Sequence, residues 1–175
     1  MQKNWYIIYT KTKCEKKVAT ILAKKGIENY FPLNCKEIKS FRKTKIHREP
    51  LFSAYVFAYI SENEMGKAME IDGVVNFVYW RGAPAIVQED EIDAIRNFTT
   101  NHHDIRLEKA QINQEKPIKV AVGPRYSMDG NILTIKNQSA KVNLPSIGFT
   151  MIAHVDSESM LGREVSFGNK QLSLQ

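Results

Sequence analysis

Lys13, Lys17 and Lys24 are the residues whose spacing most directly suggests chemistry. On a helix turning about 100° per residue they fall within roughly 40° of one another, away from the center of the apolar stripe. With Lys11 just ahead of them, they form a cationic ridge able to attract phosphate. An ordinary solvated helix face has the same pattern, so the ridge alone leaves both readings open. The first 50 residues carry 13 Lys and Arg against 4 Asp and Glu, and the other 125 carry 12 against 15. The net +6 is therefore polarised toward the amino terminus, as a polyanion-facing surface would require. Between the basic residues lie three aromatic-rich stretches, Trp5-Tyr6-Ile7-Ile8-Tyr9-Thr10, Pro50-Leu51-Phe52-Ser53-Ala54-Tyr55-Val56-Phe57 and Gly73-Val74-Val75-Asn76-Phe77-Val78-Tyr79-Trp80. Aromatic side chains of this density fill a core or anchor a protein interface.

Catalytic chemistry finds little to work with. The chain has no phosphate-cradling Gly-rich loop, G-x-S-x-G or H-E-x-x-H motif, and no paired carboxylates in an apolar setting. Glu49, between Arg48 and Pro50, reads as a local ion pair, and His102-His103 as solvated imidazoles. Cys14 and Cys35 have neither C-x-x-C spacing nor a His partner, so they read as reduced thiols without a metal. We expect no enzyme, no cofactor and no metal site.

The elements that must hold these residues alternate. Residues 5–10 predict a buried strand, and residues 13–25 a helix with Cys14, Val18 and Ile21 inward and Gly26 as its cap. Residues 27–33 predict a short strand. The polar, basic stretch 36–48 predicts an exposed hairpin or mobile loop, and residues 51–60 the strongest strand in the chain. Ser61-Glu62-Asn63-Glu64 has the spacing of a capping box, opening a helix with Met65, Ala68 and Met69 on one face and Gly73 at its end. Strand residues 74–79 turn at Arg81-Gly82-Ala83-Pro84 into Ala85-Ile86-Val87, and Glu89-Asp90-Glu91 opens a helix with Ile92, Ile95 and Phe98 inward. The order β-α-β-β-α-β-α predicts an α/β sandwich with an antiparallel sheet over residues 1–100.

Residues 101–116 are polar and aperiodic, which predicts a linker. Four short strands at Ile118-Lys119-Val120-Ala121-Val122, Asn131-Ile132-Leu133-Thr134-Ile135, Ala140-Lys141-Val142-Asn143-Leu144 and residues 149–155 predict a small antiparallel barrel over 117–156, followed by a polar tail over 157–175. The fold class expected is α+β in two domains. No 18-residue apolar run and no signal-peptide pattern follow Met1, so a soluble, cytoplasmic monomer without membrane contact is expected.

In their order and spacing these motifs resemble the NusG family of transcription elongation factors, and within it the specialised RfaH and UpxY-like antiterminators. Trp5-Tyr6-Ile7-Ile8-Tyr9-Thr10-Lys11 resembles the family's opening strand, Glu49-Pro50-Leu51-Phe52-Ser53-Ala54-Tyr55-Val56-Phe57 its aromatic strand, and Gly73-Val74-Val75-Asn76-Phe77-Val78 with Pro84-Ala85-Ile86-Val87 its closing hairpin. Val122-Gly123-Pro124 with Met128-Asp129-Gly130 is similar to a KOW motif, and Leu144-Pro145-Ser146-Ile147-Gly148 to the stretch closing that barrel. Ser127 stands where a KOW glycine is common, Asp72 where RfaH has an arginine, and Glu64-Met65-Gly66-Lys67 replaces a threonine-rich segment. The RfaH contacts made there do not carry over.

The resemblance implies a NusG N-terminal-like domain docking on the RNA polymerase β′ clamp helices and bridging toward the β subunit. Tyr9, Phe52, Tyr55, Phe57, Phe77 and Trp80 would form the polymerase-binding depression, and Lys11, Lys13, Lys17 and Lys24 would approach non-template DNA. The KOW-like barrel would contact a small-subunit ribosomal protein or a termination factor. An antiterminator for a subset of operons, such as polysaccharide operons, is the leading expectation. A housekeeping NusG or a ribosome-associated, RNA-binding KOW protein is the alternative. Residues 123–148 hold Gly123-Pro124, Gly130, Pro145 and Gly148 and are rich in β-branched residues. They therefore predict a carboxy-terminal β-structure in place of a helical hairpin, tethered freely and leaving Tyr55 and Phe57 uncovered.

Overall fold

The computed structural model describes residues 2–40, 43–110, 125–128, 131–136 and 139–154. Strand β1 (Asn4–Thr10) is the center of the first sheet. It pairs antiparallel on one side with β5 (Tyr55–Ile60) and on the other with β6 (Val74–Phe77) and the short β9 (Ile86–Val87). β2 (Glu28–Tyr30) extends the sheet beyond β5. Because side chains alternate along a strand, Trp5, Ile7 and Tyr9 share one face with Tyr55, Phe57 and Tyr59. Tyr6, Ile8 and Thr10 share the other with Val56, Ala58 and Ile60.

Helices α1 (Glu15–Lys24) and α2 (Glu62–Met69) cover the second face. Val18, Leu22, Ala68 and Ile71 pack there on Tyr6, Ile8, Val56 and Ile60. The capping box is present as expected, with the Glu64 carboxylate accepting from Ser61 N and Ser61 Oγ at 2.9 Å each. These bonds, with Lys3 close by, hold the carboxyl below its usual range. α1 starts later than its sequence suggests, since Lys13 sits in the preceding turn at φ +67° and cannot continue a right-handed helix. The spacing argument for the ridge therefore holds for Lys17 and Lys24 alone.

α3 (Glu89–Asn101) lies against the first face through Ile92, Ile95 and Phe98. The basic stretch over 36–48, expected as an exposed hairpin or mobile loop, belongs to a two-stranded antiparallel ribbon, β3 (Leu33–Ser40) with β4 (Lys43–Pro50), in register from Leu33 opposite Pro50 to Ser40 opposite Lys43. Lys43 to Arg48 are exposed along it. Its base is tied down by buried Asn34, whose Nδ2 donates to Ile105 O at 2.9 Å while Oδ1 accepts from Ile105 N at 3.0 Å. Asn34→Ala would leave both main-chain groups unpaired, so chemical denaturation should show a loss of about 2 kcal/mol.

Of the segment expected to be a linker, residues 101–110 are described and carry structure, while 111–116 lie outside the described residues. His102 ends α3, stacked on Phe98 at 4.4 Å. Burial, chiefly, pushes its imidazole below the ordinary histidine range, so it is not the solvated group its sequence suggests. Residues 106–109 are β10 (Arg106–Lys109). β10 opens a second antiparallel sheet with β11 (Arg125–Met128), β12 (Asn131–Lys136), β13 (Ser139–Leu144) and β14 (Phe149–His154), in the order β10-β14-β13-β12-β11. The three later strands fall where alternation places them, while the strand expected at 118–122 and the tail over 157–175 lie outside the described residues. Among the described residues the ladder is open, and no pairing closes it into the expected barrel. Its apolar residues Ala140, Val142, Leu144, Met151 and Ala153 are covered instead by the first domain, in one continuous core with Phe52, Phe57 and the inner face of α3.

Candidate functional site

The six aromatics singled out in the sequence do not form one depression. Tyr9 and Tyr55 meet edge to face at 6.1 Å, and Tyr9 remains 45% exposed while Tyr55 is half-buried. Further along the same face Phe57 stacks on Tyr30 at 6.3 Å and meets Phe52 edge to face at 5.7 Å, and both phenylalanines are buried. Phe149 of β14 closes over Phe52 at 5.9 Å. The expectation of a freely tethered carboxy-terminal sheet that leaves this face open is thus corrected: the sheet lies over the Phe52–Phe57 end, and only the Tyr9–Tyr55 end reaches solvent.

Phe77 points to the opposite face, edge to face with Tyr6 at 6.3 Å, and is core beside α1 and α2. Trp80 is 61% exposed on a hairpin of β7 (Tyr79–Trp80) and β8 (Ala83–Pro84), whose two turn residues Arg81 and Gly82 both have positive φ. That is the turn geometry which matches strand twist. Tyr79, exposed beside Trp80, was not singled out, although the Arg-Gly turn next to it is a signal for a projecting tip.

Two buried carboxylates escaped sequence reasoning. Glu15 Oε1 accepts from Ala54 N at 2.8 Å, and Thr10 N donates to Ala54 O at 2.8 Å. Together they hold Ala54 at φ +64°, a conformation unfavourable for a residue with a Cβ. The loop presenting Phe52 and Tyr55 is therefore positioned by an acid from α1. Glu91 closes a capping box at the start of α3 through Gln88 N, and its other oxygen accepts from Ser146 N at 2.9 Å, in the turn between β13 and β14. One carboxylate thus belongs to both the helix and the sheet that covers it.

Lys11 and Lys13 follow the end of β1, and Lys17 and Lys24 lie on α1. The ridge is not uniformly positive, because Asp72 reaches into it, with Oδ2 at 2.5 Å from Lys17 Nζ and Oδ1 at 4.0 Å from Lys11 Nζ. Lys13 and Lys24 are exposed and have no ion pair among the described residues. Among those residues there is no cluster of His, Cys, Asp and Glu able to hold a metal, and no helix long and apolar enough to cross a membrane. Cys14 and Cys35 are both free.

A family model described as "Transcription termination factor nusG" matches residues 3–96, more than half of the chain. Among solved structures, "Domain interaction in Thermotoga maritima NusG" is similar at 22% identity, covering 89% of this chain and 95% of that chain with a TM-score of 0.46. A search of curated proteins gave no match.

Proposed function

The chain belongs to the NusG family of transcription factors, and we propose that it is an antiterminator that docks on the β′ clamp helices of RNA polymerase and serves a subset of operons. The observation that carries the docking site is the aromatic ladder of the first sheet, which runs from exposed Tyr9 through Tyr55 to buried Phe57 and Phe52. Large rings with few rotamers are suited to anchor a helical partner. Tyr9 and Tyr55 would make first contact, and Phe52 would join when the carboxy-terminal sheet lifts. The Lys11, Lys13, Lys17 and Lys24 side would then face non-template DNA, while the sheet, once released, would be free to meet a ribosomal protein or a termination factor.

Co-purification of the full chain with core RNA polymerase tests this reading. Tyr9→Ala and Tyr55→Ala should each weaken binding about tenfold or more while the protein stays folded, because both rings are at least partly solvent-facing. Folded variants that bind like the parent would remove the docking site from this face. Transcript profiles of a gene deletion separate the two roles within the family: loss of the distal part of a few long operons supports the specialised factor, and a general change in elongation supports a housekeeping one.

A further inference from the structure

The ribbon of β3 and β4 is a basic surface that no role above has used, and its register sorts its charges. Residues directly opposite one another share a face, and faces alternate along each strand. Lys36 opposite His47, Ile38 opposite Lys45 and Ser40 opposite Lys43 therefore fall on one face, with Asn34 opposite Glu49 at its base. Glu49 is the one acid on that face, and it pairs with Lys36 at 2.6 Å. Farther out, Lys43 and Lys45 are exposed and have no ion pair among the described residues. The opposite face carries an acid, Glu37, beside Ile46 and Arg48.

The ribbon is held at its base and projects beyond it. In addition to the Asn34–Ile105 pair, Asp104 N donates to Cys35 O and Leu51 N to Pro32 O, both at 2.9 Å. Eight residues in each strand, at about 3.3 Å apiece, give it a length of roughly 25 Å. A two-stranded ribbon fits the major groove of B-form DNA, whereas the deep, narrow major groove of duplex RNA does not admit side chains. Lysines supply attraction to the phosphates and to guanine acceptors. Ile38 is 53% exposed among those lysines. An aliphatic side chain gains nothing from phosphate, but the floor of the major groove offers thymine methyl groups for it to meet. We propose that the ribbon is a duplex-DNA-binding element, one that enters the major groove with its Ile38, Lys43 and Lys45 face. The proposal is independent of the roles given to the aromatic ladder and to the α1 ridge.

The test uses the full chain, without polymerase, and a labelled DNA duplex of about two helical turns beside the duplex RNA of the same sequence. Fluorescence anisotropy is read across a salt series. The parent should bind the DNA duplex about fivefold or more tightly than the RNA duplex. Lys43→Gln with Lys45→Gln should weaken DNA binding about tenfold and flatten the log-log salt slope by about 0.9 for each lysine lost, while Lys43→Arg with Lys45→Arg keeps both. Ile38→Ser should weaken binding about threefold with the slope unchanged, because the lost contact is apolar. Dimethyl sulfate reads the groove: the bound parent should protect guanine N7, which faces the major groove, and the Gln variant should not. Thermal melting reports whether each variant is folded. Lys17→Gln with Lys24→Gln should leave the N7 protection in place, and its loss in that variant would assign the duplex to α1 and overturn the proposal. Equal parental affinity for the two duplexes, unprotected guanines, or unchanged affinity and slope in the Lys43 and Lys45 Gln variant would overturn it as well.

Discussion

Phe57→Ala should destabilise the protein by about 3–5 kcal/mol, the cost of emptying a fully buried aromatic site that cannot collapse. The phenyl ring is packed between Phe52 and Tyr30 within the core shared by the first sheet, α3 and the carboxy-terminal sheet. Its truncation removes apolar contact from three layers at once. A protein of this size has a net stability of only about 5–15 kcal/mol, so the variant should melt at a much lower temperature and show reduced soluble yield. Any loss of polymerase binding by this variant would follow from its folding. Tyr55→Ala, two residues away and half-exposed, should lose far less stability, and the pair separates a core role from a docking role on one strand face. Denaturant titration of both variants checks this, and equal, small losses would mean that the core around Phe57 is looser than its packing.

Much of the first domain is legible in the sequence because its signals are local. The apolar runs of β1 and β5 announce strands buried on both faces, Ser61 and Glu64 announce a capping box, and Arg81-Gly82 announces a tight turn. The identity of each face is not local. Aromatics sit on both sides of the first sheet, so Phe77 and Phe57 look equivalent in sequence although they belong to opposite cores. Lys13 illustrates a different limit: the helical period carries back through it, but Lys13 is itself left-handed, so the helix starts only after it, at Glu15. The ribbon of β3 and β4 was visible as an exposed basic stretch, yet its fixed register depends on anchors such as Asn34 to Ile105, 71 residues apart.

The docking of the carboxy-terminal sheet was the least legible feature, and it leads to the second large effect. Turn residues and β-branched strands identify a small sheet whose inner face needs cover, but closure on itself and packing on a neighbour bury the same residues. What distinguishes the docked state is Glu91, whose partner Ser146 lies 55 residues away. Glu91→Ala should favour the undocked state by about 1.5–3 kcal/mol, roughly a 10- to 150-fold shift. The shift arises because the Ser146 N–H loses a charged acceptor in the docked state and finds water in the undocked one. The bond to Gln88 N is internal to the first domain, so its loss weakens both states alike. Phe149→Ala, which removes the ring over Phe52, should act in the same direction by a different route. If polymerase takes the face that the sheet covers, apparent affinity rises in proportion to the fraction undocked. Both variants should then bind core polymerase more tightly than the parent, with faster amide exchange in β13 and β14. Faster exchange without tighter binding would show that polymerase does not compete with the sheet, and would leave the exposed Tyr9 end as the whole of the docking surface.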